Sequence, residues 1–119
     1  MKVLIADDSS MSRKLVLRSL PASLTEDVSQ ACNGAEVMTA YHAGLVELLF
    51  LDLTMPVMDG FQTLEALRRE DANVVVVVIS ADIQPLARQR AFDLGAAAFV
   101  AKPVTAEAVL DALHLIGVL

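Results

Sequence analysis

Six consecutive β-branched residues, Val74 to Ile79, constrain this chain more than any other feature. Such side chains are stiff at χ1 and pack well on a pleated surface. The run has no polar residue at alternate positions, so neither face is suited to water. It fits a strand buried on both faces, and such strands occur in parallel sheets covered by helices. Parallel neighbours cannot share a tight hairpin; each pair requires a crossover, usually a helix. The run therefore predicts strand–helix alternation along the rest of the chain.

The flanking sequence has that alternation. Val3-Leu4-Ile5-Ala6 reads as a buried strand, and Asp7-Asp8-Ser9-Ser10 ends it with N-cap candidates. Met11 to Leu20 reads as an amphipathic helix that Pro21 terminates. Its expected apolar stripe is Met11, Leu15, Val16 and Leu20, with Arg13, Lys14 and Arg18 largely outside. Asp27 to Ala31 is a weaker, partly polar strand suited to a sheet edge. Asn33-Gly34 reads as a turn, Ala35 to Ala43 as a helix, and Gly44 as its stop. Leu48 to Leu53 is strongly apolar, with Asp52 near its C-terminal end. Thr54 to Gly60 is a loop in which Asp59-Gly60 is an ordinary turn pair. Phe61 to Arg69 is helical, with Phe61, Leu64 and Leu67 at three-residue spacing. Beyond Ser80-Ala81-Asp82, Pro85 to Leu94 is a helix with Pro at its start and Gly95 after it. Ala96 to Ala101 is a small-residue strand ending in Lys102-Pro103, and Thr105 caps a last helix, Ala106 to about Ile116. The expected fold is α/β: a doubly wound sandwich with a five-stranded parallel sheet in order 2-1-3-4-5.

Composition narrows the function classes. A length of 119 residues suits one domain over 1–119, and 55% hydrophobic residues supply a sizeable core. Nine basic residues against 15 acidic ones, net −6, argue against a nucleic-acid surface. The lone Cys32 excludes an internal disulfide, fits a reducing compartment, and is expected to be a buried or half-buried apolar residue. No targeting segment is visible, and Val74–Ile79 is far short of the roughly 20 residues of a membrane span. A soluble cytoplasmic protein with no membrane or nucleic-acid partner is expected.

Open α/β sheets bind ligands beyond the carboxyl ends of their strands. Here those ends carry Asp7-Asp8, Asp52, Ser80 and Lys102. Two carboxylates ~4 Å apart repel by roughly 4 kcal/mol at an effective dielectric near ~20. Either their proton affinities rise or a cation sits among them. Mg²⁺ suits such a site, because it takes one or two carboxylates and keeps waters that a phosphate replaces. Lys102 adds a point charge for a phosphoryl oxygen, and Ser80 a hydroxyl donor. A carboxylate can itself be the nucleophile, and Asp52, at the centre of the sheet, is the best placed. Each residue also has an ordinary role open to it: Asp7-Asp8 and Ser80 as helix caps, Lys102 as a solvated surface charge.

The chain resembles the response-regulator receiver domains of two-component signalling, over essentially its whole length. The resemblance rests on Lys2-Val3-Leu4-Ile5-Ala6-Asp7-Asp8, Asn33-Gly34, Leu51-Asp52-Leu53-Thr54-Met55-Pro56, Asp59-Gly60, Ser80-Ala81, Gly95-Ala96 and Lys102-Pro103, in that order. Met11-Ser12-Arg13 looks more like the chemotaxis-type subgroup. The resemblance implies a flavodoxin-like (βα)5 fold and a phosphoacceptor switch rather than an enzyme. It assigns the phosphorylated carboxylate to Asp52 and Mg²⁺ to Asp8 directly, Asp7 through water, Asp52 and the Thr54 carbonyl. Ser80 matches the switch hydroxyl, Lys102 the invariant lysine and Phe99 the switch aromatic. The Lys102–Pro103 bond is expected to be cis. Thr54 and Asp82 lie two residues beyond Asp52 and Ser80, where the family tunes phosphoryl lifetime; Asp82 could equally be a solvated capping acid. The implied partners are a histidine kinase or phosphotransfer protein. A target protein or second copy would bind through the fourth helix, fifth strand and fifth helix, where Ala97, Ala112 and Leu113 are surface candidates. His42 and His114 read as ordinary surface residues.

Competing classes fare worse. A phosphatase with an aspartyl nucleophile typically has a second Asp two residues on, where this chain has Thr54. A flavodoxin-like cofactor binder needs a phosphate loop after the first strand, where Asp7-Asp8 would repel the ligand. A degenerate receiver used only for dimerisation would not need the full set of site residues.

Overall fold

The computed structural model describes all 119 residues. Strands β1 (Val3–Ala6), β2 (Val28–Ala31), β3 (Leu48–Leu51), β4 (Val75–Ser80) and β5 (Ala98–Ala101) alternate with helices α1 (Ser10–Ser19), α2 (Gly34–His42), α3 (Gly60–Arg69), α4 (Pro85–Asp93) and α5 (Ala106–Leu115). All pairings are parallel, in the order β2-β1-β3-β4-β5. All of the β-branched run but Val74 lies in β4, next to the edge strand β5, and the partly polar β2 is the other edge.

Strand side chains alternate between faces, and both faces are covered. Leu4, Leu49, Leu51, Val76 and Val78 pack against Val37, Leu64, Leu67 and Ala91 from α2, α3 and α4. Val3, Ile5, Leu48, Phe50, Val77 and Ile79 pack against Val16, Leu20, Val109 and Leu113 from α1 and α5. Helices begin where polar side chains accept orphan amides. Ser9 accepts from Ser12 N–H, Asn33 from Glu36 N–H and Thr105 from Ala108 N–H.

Several expectations need correction. Asp59 is the N-cap of α3 and forms a reciprocal capping box with Gln62, so the Asp59-Gly60 pair starts a helix. Asn33 likewise caps α2 rather than closing a free turn. A 3₁₀ turn, Ala22–Leu24, follows Pro21. In α1 the buried residues are Val16, Ser19 and then Leu20, whereas Met11 and Leu15 are 64% and 40% exposed. At 3.6 residues per turn, Leu15 lies about 100° and Met11 about 140° round the helix from Val16. Ser19 tolerates burial because its hydroxyl donates to the Leu15 carbonyl. Cys32 is exposed, because it lies one residue past β2 at the sheet edge. Ala112 and Leu113 are buried under α5, leaving Ala97 and Leu115 as the exposed small and apolar residues nearby.

Two positions in the β3–α3 region constrain the loop beside Asp52. Gly60 lies so close to the Asp52 carbonyl and the Leu53 Cα that a Cβ has no room. Val57 is 84% exposed and left-handed, with φ +67°, a conformation that crowds a β-branched side chain. Gly60→Ala is expected to lower stability by about 1–3 kcal/mol through overpacking. Val57→Asn is expected to raise it by about 1 kcal/mol through relief of strain. Urea midpoints of the two variants against the parent check both signs.

Candidate functional site

The carboxyl edge of the sheet gathers side chains from four strands. Backbone pairing continues one residue past the strands: Asp7 N–H donates to Ala31 O at 3.0 Å, Asp52 N–H to Ala6 O at 2.9 Å and Lys102 N–H to Ser80 O at 2.9 Å. Ala6 pairs with Leu51, so Asp7 and Asp52 are adjacent on β1 and β3 and emerge on one side. This point, where β1 leads to β2 on one side and β3 begins the run to the other, is the switch point of the sheet.

Asp7, Asp52 and Ser80 are buried, Asp8 is exposed and Lys102 is half-buried. The Lys102 Nζ lies 2.9 Å from Asp7 Oδ2 and 3.4 Å from Asp52 Oδ1. Asp7, Asp8 and Asp52 each offer a carboxylate oxygen within 4.8 Å of the others. That donor set, all hard oxygen, suits a small divalent cation. Asp7 is already engaged, accepting from Ser9 N–H at 2.9 Å and from Lys102, which leaves Asp8 and Asp52 freer to coordinate.

Electrostatics single out Asp52. Burial, then the Asp7 charge, push its carboxyl above the ordinary value, while Lys102 and the Thr54 backbone N–H pull against them. For Lys102, burial favours loss of the proton, but the hydrogen bond to Asp7 and the charges of Asp52 and Asp7 outweigh it. The ammonium is held above its ordinary value.

Ser80 Oγ accepts from Asp82 N–H at 3.0 Å, which leaves its proton available for donation. Asp82 accepts from Gln84 N–H at 3.1 Å and is exposed, so its carboxylate serves the turn before α4. Thr54 is exposed in the loop beyond Asp52. The Lys102–Pro103 bond is cis. Phe99 is half-buried on β5 against the core that α2, α3 and α4 cover. His42 is at the surface, paired with Glu70 at 2.8 Å, and His114 is exposed.

By its spacing Arg13 belongs only to the polar side of α1. In the structure its guanidinium donates to the Asp7 carbonyl at 2.7 Å and to Gln30 Oε1 at 2.8 Å, bracing the backbone of the acidic pair. Helical spacing puts Arg13 one turn after Ser9, but nothing local reveals that β2 brings Gln30 opposite.

The chain matches the family model of the response regulator receiver domain over residues 3–114. The chemotaxis protein CheY of Bacillus subtilis is 33% identical over 113 residues, covering 95% of this chain and 94% of that protein. The sensory/regulatory protein RpfC of Xanthomonas campestris is 37% identical over 118 residues, 95% of this chain but 16% of RpfC. Among solved structures, the Vibrio cholerae chemotaxis protein CheY4 superposes with a TM-score of 0.84, at 26% identity and 96% coverage of both chains.

The raised Asp52 carboxyl has a consequence for stability. Folding favours its neutral form, so the folded state loses stability as pH rises through the carboxylate range. With chelator present, Asp52→Asn is expected to melt higher than the parent at pH 7. The difference should close as pH falls below the ordinary Asp range, where both side chains are neutral. Thermal melts across pH 3 to 8 check it; a pH-independent difference would contradict the electrostatic origin.

Proposed function

The chain belongs to the response regulator receiver domain family, and we propose that its Asp52 accepts a phosphoryl group from a histidine kinase or phosphotransfer protein. The observation that carries this reading is Asp52 itself: buried, held by strand pairing, and flanked by two further carboxylates and one lysine. Two-component signalling follows from the family.

One Asp52 carboxylate oxygen attacks the phosphorus of the donor, and the donor's imidazole nitrogen leaves. Asp7, Asp8, Asp52 and the Thr54 carbonyl would hold Mg²⁺, which offsets charge on the transferring group. The half-buried Lys102 is free to leave Asp52 for a phosphoryl oxygen without losing Asp7. Ser80 donates its hydroxyl to another phosphoryl oxygen, still accepting from Asp82 N–H. The aspartyl phosphate adds about two negative charges at neutral pH, a local change that biases a two-state element.

Phe99 is that element's marker in this reading. It turns inward when Ser80 moves, and the surface of α4, β5 and α5 changes for a target protein or a second copy. Thr54 and Asp82, two residues beyond Asp52 and Ser80, are in this reading the positions that tune the phosphoryl lifetime, Asp82 beside its capping of the turn before α4. The domain acts as a switch in the cytoplasm, with phosphorylation and its reversal as its only chemistry. No helix of the chain is long and apolar enough to cross a membrane.

Incubation with acetyl phosphate and Mg²⁺ tests the assignment by intact-protein mass. The parent should gain one phosphoryl group, labile to hydroxylamine. Asp52→Asn should gain none, and chelation should abolish the gain in the parent. Labelling that persists in Asp52→Asn would refute the assignment.

A further inference from the structure

Helix α4 is the helix least secured by burial: only Ala91 of Pro85–Asp93 is buried. Arginines attach it instead. The Arg90 guanidinium lies 4.1 Å from the Phe61 ring centroid and 3.7 Å from Glu65, and Arg68 donates to the Asp93 carbonyl. Those three contacts tie α4 to α3. Arg88 instead reaches towards β5. Its guanidinium carbon lies 5.5 Å from the Phe92 centroid and 5.7 Å from that of Phe99, both within the ~6 Å reach of a cation–π contact.

The two rings differ in what they report. Phe92 is one turn along the same helix, so Arg88 keeps that ring wherever α4 goes. Phe99 is on the strand, so its contact exists only while the ring stays where it is. Phe99 also has somewhere to go. Val78 pairs with Phe99 and Ser80 with Ala101, so Phe99, Ala101 and Ser80 share one face of the sheet. Ala101 is exposed and carries only a methyl group, and a groove of about 430 Å³ runs past both Phe99 and Ala101. Along that face the next β5 side chain after Phe99, towards the Ser80 end of the sheet, is only the Ala101 methyl.

We propose that Arg88 is a positioning residue that holds Phe99 in its resting place by stacking on it, and so opposes switching at the Asp52 site. This inference rests on the phosphoacceptor reading and adds its regulation: the phosphorylated state must give up the Arg88–Phe99 contact. The strength of that contact then sets the resting equilibrium, and a substitution at 88 moves the switch without touching the site chemistry.

Beryllofluoride with Mg²⁺ tests it, with affinity read by calorimetric titration and the rings followed by NMR of protein carrying ¹³C-labelled phenylalanine at its four Phe positions. Arg88→Ala should bind beryllofluoride about two- to fivefold more tightly than the parent, the worth of one exposed cation–π contact. Arg88→Lys should fall between, because a point charge stacks less well than a planar guanidinium. In a Phe99→Leu background, Arg88→Ala should change nothing. Equal or weaker binding by Arg88→Ala overturns the proposal, and weaker binding would mark Arg88 as a simple attractor of the anion. The same gain with Leu at 99 overturns it too. A parent that takes no beryllofluoride removes the Asp52 reading and the latch with it.

Discussion

Lys102 sits between two buried carboxylates, 2.9 Å from Asp7 and 3.4 Å from Asp52. This contact joins the end of the edge strand β5 to the ends of β3 and β1, past β4. Without the cation, two buried acids on adjacent strands would repel in a poorly screened site. Burial and the Asp7 charge still hold the Asp52 carboxyl above its ordinary value, so Lys102 compensates only in part. The remaining imbalance is what a divalent ion or a change of ligand would relieve. A site of this kind is costly to the fold and useful for chemistry, because every ligand that brings or redistributes charge is felt.

The surrounding structure holds that imbalance in place. Strand pairing extends past β1 and β3 to fix the Asp7 and Asp52 backbones, and Arg13 braces the Asp7 carbonyl from α1. The close approach of Gly60 to the Asp52 carbonyl brings the capped start of α3 against the same strand end. The opposite is true of α4. It follows Ser80 through an exposed turn, buries one residue, and is held by arginine side chains on its flanks. A set of charges held by strand pairing beside a lightly secured helix is the arrangement that the proposed switch requires.

Much of this was legible in the residues. Val74–Ile79 and Leu48–Leu53 announce strands buried on both faces, and the parallel sheet with its crossovers follows from strand chemistry. The Asn33 and Asp59 caps were less legible, because Asn-Gly and Asp-Gly pairs start turns and helices alike; the partner three residues on decides. Met11 and Leu15 fall outside the buried side of α1 because the five apolar residues between Met11 and Leu20 allow two neighbouring rows. Only the packing of the sheet and α5 against the helix chooses between them. Cys32 is exposed and Ala112 and Leu113 are buried for a similar reason: composition says what a side chain prefers, not how far a neighbouring element covers it.

Taken alone, the sequence determined the element order, the family and the residue types standing at each strand end, because β-branched runs and strand-end acids are local features. Tertiary structure decided what those residues do to one another. Register placed Asp7 beside Asp52, the fold of β5 brought Lys102 within hydrogen-bond reach from 95 positions away, and helix packing set Arg88 over Phe99. Charge coupling and ring stacking fall off within a few ångströms, and separations of that size exist only once the strands are paired and the helices are docked.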